Sequence, residues 1–251
     1  MTASVLAVLE TYYDAAPRPS ATTEEVGPFT LFLRTDPMGW PYYARPRLGL
    51  DTDITPDDVR RARDRQRQLE APESFEWVHE TTPSLLPAAR DAGLTVEECP
   101  LLVLDEASAS SAGHRVEVVG ADDDVLALVV GAIGAGFSGS DTVEPAKLVA
   151  QPRLIDAGLL TMVAAYDDAG EVVGGGSHGP RGGTTELTGI AVVPRARRRG
   201  IGEAITAALV ADARDRGVDT VFLSAQDDAV ARVYERVGFS RVGTACIATA
   251  P

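Results

Sequence analysis

The stretch IAVVPRARRRGIGE, residues 190–203, constrains the fold more than any other part of the chain. It reads as a short apolar strand, an arginine-rich turn with two glycines, and the opening of a helix. A strand that passes through such a turn into a helix aims several unpaired backbone N–H groups at one place, where the helix dipole is positive. Anions are attracted there, phosphate above all. Arg195, Arg197, Arg198 and Arg199 add charge-assisted donors in a chain whose formal net charge is -14. The expectation is a pyrophosphate site.

The whole-chain figures narrow what that site can serve. A chain of 251 residues with 45% hydrophobic content is a folded protein of one large or two small domains. Its acidity argues against general nucleic-acid binding, which needs a basic face. It would suit a cationic substrate such as an amine, although acidic surfaces also serve solubility. The apolar run at 125–137 is broken by Gly131, Gly134 and Gly136 and is too short to span a bilayer. No basic leader segment is evident, so a cytoplasmic protein with no membrane partner is expected. Cys99 and Cys246 supply neither a disulfide framework nor zinc spacing, and no metal is expected.

Hydrophobic periodicity and turn residues give an α/β (α+β) chain. Helices are expected at 5–13, from Thr55-Pro56 to 69, at 82–92 but kinked or shortened by Pro87, and at 125–137 behind caps from Asp122, Asp123 and Asp124. Others are expected at 145–157, from Ile201 to Gly217, and after Asp227. Strands are expected at 29–34, 42–45, 75–79, 95–104, 115–119, 159–166, 171–178, 185–193, 221–224 and 241–248. Residues 105–114 are small and polar and read as a linker, between an N-terminal domain at 1–104 and a C-terminal domain at 115–251.

A half-erased repeat runs beneath this order. TPSLLPAARDAGL at 82–94 aligns without gaps on DDAVARVYERVGF at 227–239, with Gly93 under Gly238. An apolar strand precedes and follows each helix, so both halves use one strand–helix–strand unit. Ala89 stands where the second copy has Tyr234, and the first copy has no arginine-and-glycine turn. One active site per chain is expected.

Arg197-Arg-Arg-Gly200-Ile-Gly202 resembles the Q/R-x-x-G-x-G/A signature of the GNAT superfamily of N-acetyltransferases. The preceding strand, the following helix, the strand VFLSA, and Val233-Tyr234-Glu-Arg-Val-Gly238-Phe239, similar to the family's L-Y-x-x-x-G-F, agree in order. A P-loop is excluded for want of G-K-[ST], and the third glycine of a dinucleotide fingerprint is missing. The layout resembles tandem GNAT proteins with two GNAT-like domains, each a mixed, mostly antiparallel sheet flanked by helices, the N-terminal one degenerate. The resemblance implies acetyl-CoA as cosubstrate, its pyrophosphate on the N–H groups of Arg197, Arg198, Arg199, Gly200, Ile201, Gly202 and Glu203. It places the pantetheine arm along Ile190, Ala191 and Val192, and a donor near Val192 opposite the developing oxyanion.

Acetyl transfer to an ammonium needs a base to free the nitrogen and an acid for the departing thiolate. Glu186, on the strand that leads to the turn, resembles the family's general base; read alone it is an ordinary strand glutamate. Tyr234 resembles the general acid; read alone it belongs to the helix stripe Val230, Val233, Val237. Asp227 is a helix cap. His79, His114 and His178 are read as isolated, structural or exposed residues, and Cys246 as core. The expected activity is an N-acetyltransferase for a primary amine of a small molecule or an amino terminus, acting as a monomer or homodimer. A non-catalytic acyl-CoA-sensing or partner-binding module is the alternative. The acceptor would be set by residues 137–147, by the hairpin at 174–183 and by the N-terminal domain.

Overall fold

The computed structural model describes residues 2–105 and 113–251, and side chains from Val5 onward. In chain order the elements are α1 (Thr2–Ala15), β1 (Ala21–Val26), β2 (Phe29–Arg34), β3 (Ala44–Pro46), α2 (Pro56–Gln68), β4 (Ser74–Val78), α3 (Leu85–Asp91) and β5 (Thr95–Leu104). There follow β6 (Val116–Val119), α4 (Leu126–Ser138), α5 (Gln151–Asp156), β7 (Thr161–Tyr166), β8 (Val172–His178), β9 (Thr184–Val192), α6 (Ile201–Asp215), β10 (Thr220–Ser224), α7 (Asp228–Glu235) and β11 (Phe239–Thr249). The linker expected at 105–114 lies for the most part outside the described residues.

The chain divides into two compact units. The first takes the N-terminal residues through Leu102 together with Ser224–Ala231 and Arg241–Pro251; the second takes Val103–Leu223 and Arg232–Ser240. The expected division at the linker assigned all of 115–251 to one domain, whereas two late segments belong to the first unit. The reason is visible in β11, which pairs antiparallel with β4 through Cys246↔Trp77 and Ala248↔Phe75.

In the first unit the strand order is β1-β2-β3-β4-β11-β5. Phe29, Leu31, Ala44, Phe75, Trp77, Cys246 and Ala248 form one buried face under α2 and α3. The helix start expected at Thr55 is present and takes the form of a capping box: the Thr55 hydroxyl accepts the N–H of Asp58, whose carboxylate accepts the N–H of Thr55. The helix expected at 82–92 is shortened to α3, and Pro87 does not kink it. The proline lies in the first helical turn, where its missing N–H has no helical partner to lose. The strand β1, ATTEEV, was not expected, because an edge strand with mostly exposed polar residues lacks the hydrophobic signal of a buried one.

In the second unit the order is β10-β9-β8-β7-β6, antiparallel except for the β9–β10 pair. The glycines of β8 bring the layers together. A Cβ on Gly175 would lie 2.8 Å from Val129 of α4, and one on Gly176 would lie 2.9 Å from Ile205 of α6. Successive residues of a strand face opposite sides, so α4 and α6 pack on the two faces of the same strand. Gly131 admits the backbone of Glu144, whose carbonyl oxygen would be 1.9 Å from an added Cβ. Asp122, Asp123 and Asp124 do not cap α4. The residue before it is Val125, and the Asp123 carboxylate accepts the N–H of Gly120 instead. The helix expected at 145–157 shrinks to α5. Among the described residues no helix is long and apolar enough to cross a membrane.

The aligned copies share a local geometry. Gly93 and Gly238 both have positive φ, +83° and +96°, and each donates its N–H to the carbonyl three residues back, Arg90 and Glu235. Leu94 and Phe239, one residue on, are both buried.

Candidate active site

The site is built where β9 leaves its parallel neighbour. β9 and β10 are in register only at Thr184↔Thr220, Thr185↔Val221 and Glu186↔Phe222. Beyond Glu186, β9 continues to Val192 against β8, through Gly175↔Ala191 and Gly174↔Val192. The edge of 187–192 that faces away from β8 therefore has no β10 partner among the described residues. An extended chain can add to such an edge by backbone hydrogen bonds.

The arginine-and-glycine turn follows at once. A short 3-10 turn at Pro194–Ala196 leads into Arg198 at φ +61° and Gly200 at φ +86°, and α6 begins at Ile201. Left-handed residues interspersed in a turn make the successive N–H groups converge, a concavity that binds anions. The N–H groups of residues 198–203 donate to no protein acceptor among the described residues. The space beside Gly202 is open, with nothing within 4 Å of an added Cβ.

The arginines divide into two kinds, which the sequence could not show. Arg195 is spent on structure: its N–H donates to the Asp141 carboxylate at 2.6 Å and its guanidinium to the Asp141 carbonyl and to Glu171. Arg197 donates to the carbonyl of Val192 at 2.9 Å and to that of Gly136 at 2.6 Å, tying the end of β9 to the last turn of α4. Arg198 and Arg199 are exposed, and their guanidinium groups have no partner among the described residues. Of the four arginines expected beside a phosphate, Arg195 and Arg197 therefore have their guanidinium groups engaged by the protein, and Arg198 and Arg199 do not among the described residues. The Val192 carbonyl is also taken, so an arm lying along Ile190, Ala191 and Val192 would have to pair through other backbone groups.

Glu186 is half-buried on β9, level with the last paired residue of β10. Tyr234, near the end of α7, has its ring 6.0 Å from that of Phe239 in an edge-on arrangement. Burial pushes its phenol up to about 12, and its hydroxyl meets no hydrogen-bond partner among the described residues. The stripe expected to bury it is different from that drawn from the sequence: Ala231 and Val237 are buried, while Val233 is 39% exposed. Asp227 caps α7 as expected, accepting the N–H of Val230 at 2.8 Å.

Two histidines read as isolated are not. His178 is wholly buried, bonded to Thr185 at 3.1 Å and to Asp212 at 2.8 Å, and Asp212 also accepts from Arg216 and Thr161. His114 Nε2 lies 2.6 Å from the carbonyl oxygen of Arg199, inside the turn. No local sequence signal connects either pair, because the partners are far apart in the chain. Cys246 is buried core, its thiol pushed up to about 12 by burial, and is no nucleophile there.

Comparison with known proteins agrees with this geometry. Residues 122–239 match the model of the acetyltransferase (GNAT) family. These residues are a GNAT domain. Among solved structures, a GCN5-related N-acetyltransferase from Kribbella flavida is similar at 22% identity, over 98% of this chain and 96% of its own, with a TM-score of 0.75. A GCN5-related N-acetyltransferase-like protein from Streptococcus suis is similar at 11% identity, over 94% and 92% of the two chains, with a TM-score of 0.58. A tandem GNAT protein from the clavulanic acid biosynthesis pathway is similar at 17% identity, over 88% of this chain and 78% of its own, with a TM-score of 0.56. At these identities the likeness is one of fold. No curated protein matches the sequence. The GNAT domain is a fold that supports acyl transfer, and no group of residues that could hold a metal ion occurs among the described residues.

Proposed function

We propose that this protein is an acetyl-CoA-dependent N-acetyltransferase that acts on a primary amine of a small molecule or an amino terminus. The observation that carries this reading is the conjunction at one end of β9: an unpaired strand edge that runs directly into a turn with unaccepted N–H groups. A ligand with an amide-bearing arm and a pyrophosphate fits both in sequence. The residues present suit acetyl-CoA. The N–H groups of residues 198–203, with the free guanidinium groups of Arg198 and Arg199, would hold the pyrophosphate. Ile190, Ala191 and Val192 would line the arm.

Acetyl-CoA supplies an activated acetyl thioester and a thiolate leaving group. Glu186 takes the proton of the incoming ammonium, directly or through water, so that the nitrogen lone pair can attack. Tyr234 gives its proton to the sulfur. The phenol is protonated at neutral pH as any tyrosine is, so it has a proton to give; burial raises its pKa to about 12 and shields that exchange from solvent. The first unit, which has no counterpart of the turn before α2, acts as a scaffold in a tandem arrangement, and the protein works in the cytoplasm.

A panel of amines assayed for free CoA release tests the proposal. The reading expects turnover of at least one amine, reduced by about 10²-fold or more in Tyr234→Phe and in Glu186→Gln. CoA binding without turnover of any amine would instead support a non-catalytic acyl-CoA sensor.

A further inference from the structure

We propose that His114 is a positioning residue for the phosphate-binding turn, an inference that rests on the acetyl-CoA reading above. His114 stands just before β6, 85 residues from Arg199, and its Nε2 reaches the Arg199 carbonyl oxygen at 2.6 Å. With a proton on Nε2 the imidazole is the donor and the carbonyl the acceptor.

The consequence follows from peptide geometry. A trans peptide is planar, so its C=O and the following N–H point in opposite directions. Fixing the Arg199 carbonyl toward His114 therefore fixes the Gly200 N–H away from it, with the other unaccepted N–H groups of the turn. This peptide most needs such a hold. It joins Arg199 to the left-handed Gly200, at +86°, one residue after the left-handed Arg198, at +61°, and a left-handed conformation is unfavourable for arginine. At one end the turn is anchored by Arg197 on Val192 and Gly136; at the other, the Gly200 carbonyl accepts the N–H of Ala204 in α6. Between these anchors His114 is the hold on the Arg199–Gly200 peptide among the described residues. Without it the plane can rotate and turn a carbonyl oxygen toward the phosphate, replacing attraction by repulsion.

Calorimetric titration of CoA into the wild type, His114→Ala and His114→Gln tests this, with thermal melting of each. The side-chain amide of glutamine offers a donor near the position of Nε2. Removing one fixed donor arrangement on a charged ligand should weaken CoA binding about tenfold in His114→Ala. His114→Gln should recover most of the affinity, both variants should melt near the wild-type temperature, and the KM for acetyl-CoA should rise with kcat at saturation unchanged. Equal affinity of His114→Ala and wild type would overturn the inference while leaving the acetyl-CoA reading in place. So would a loss that glutamine fails to restore, or one that only accompanies a collapse in melting temperature. Failure of the wild type to bind CoA would overturn both.

Discussion

Burial pushes the pKa of the Tyr234 phenol up to about 12, and its hydroxyl has no partner among the described residues. Removing that oxygen opens no polar vacancy in the fold. Tyr234→Phe is therefore expected to melt within about 1 kcal/mol of the wild type while losing turnover, which separates a chemical role from a packing one. Burial disfavours the charged form of His178 too, which for an imidazole moves the pKa down. Desolvation holds the imidazole below its usual 6.5, against the pull of Asp212. Below 6.5 the unfolded chain binds a proton that the folded one resists, so stability falls as the pH drops from 6.5 through the lower folded value. Asp212, held below its usual 3.8 by Arg216, His178 and Thr161 against its own desolvation, extends that loss further into acid. His178→Gln should flatten the upper part of this slope in denaturant titrations at pH 5 to 7; an unchanged slope would refute the assignment.

At the scale of elements, the second unit depends on close approach at glycines. A Cβ at Gly175 would stand 2.7 Å from the carbonyl oxygen of Val163 as well as against α4, and neither neighbour can yield cheaply. Gly175→Ala is expected to cost about 1 to 3 kcal/mol in chemical denaturation, whereas alanine at the open, helical Gly134 should raise stability by about 0.5 to 1 kcal/mol. Much of this architecture was legible in the sequence. The strand–turn–helix at 190–203, the helix that opens at Ile201, and the helix start at Thr55 are local patterns, and local physics decides them. The edge strand β1 was illegible because its polar residues carry no burial signal. The division of labour among the arginines was illegible because Arg195 and Arg197 find their partners at Asp141 and Gly136, more than fifty positions away in sequence. Glu186 and Tyr234 became candidates through a family resemblance, since spacing alone reads them as a strand glutamate and a core tyrosine.

At the scale of the whole molecule, the two units carry opposite electrostatic liabilities. In the first, burial pushes Glu76 up to about 7, against the pull of Arg45 and a hydrogen bond from Tyr43. A carboxyl whose folded pKa lies above its usual 4.5 favours the folded state at low pH, and that contribution is lost as the pH rises through about 7. The second unit, through His178 and Asp212, loses stability as the pH falls. Hydrogen exchange across pH 5 to 8 should show protection in β4 falling with rising pH while that in β8 rises, after correction for intrinsic exchange. Slopes of the same sign in both strands would contradict this.

The central claim is that the turn at 198–203 holds an anionic ligand, and Gly202→Glu separates that role from folding. The added side chain enters open space, replaces glycine inside a helix, and puts an acid in the first turn of α6, each of which should hold stability level or raise it by about 0.5 to 1 kcal/mol. The same carboxylate would repel a pyrophosphate. Calorimetry of CoA binding to the two proteins is thus the most direct measurement: we expect saturable binding by the wild type, and loss of binding by a Gly202→Glu variant that melts no lower. CoA affinity equal in both, or no binding by either, would contradict the account.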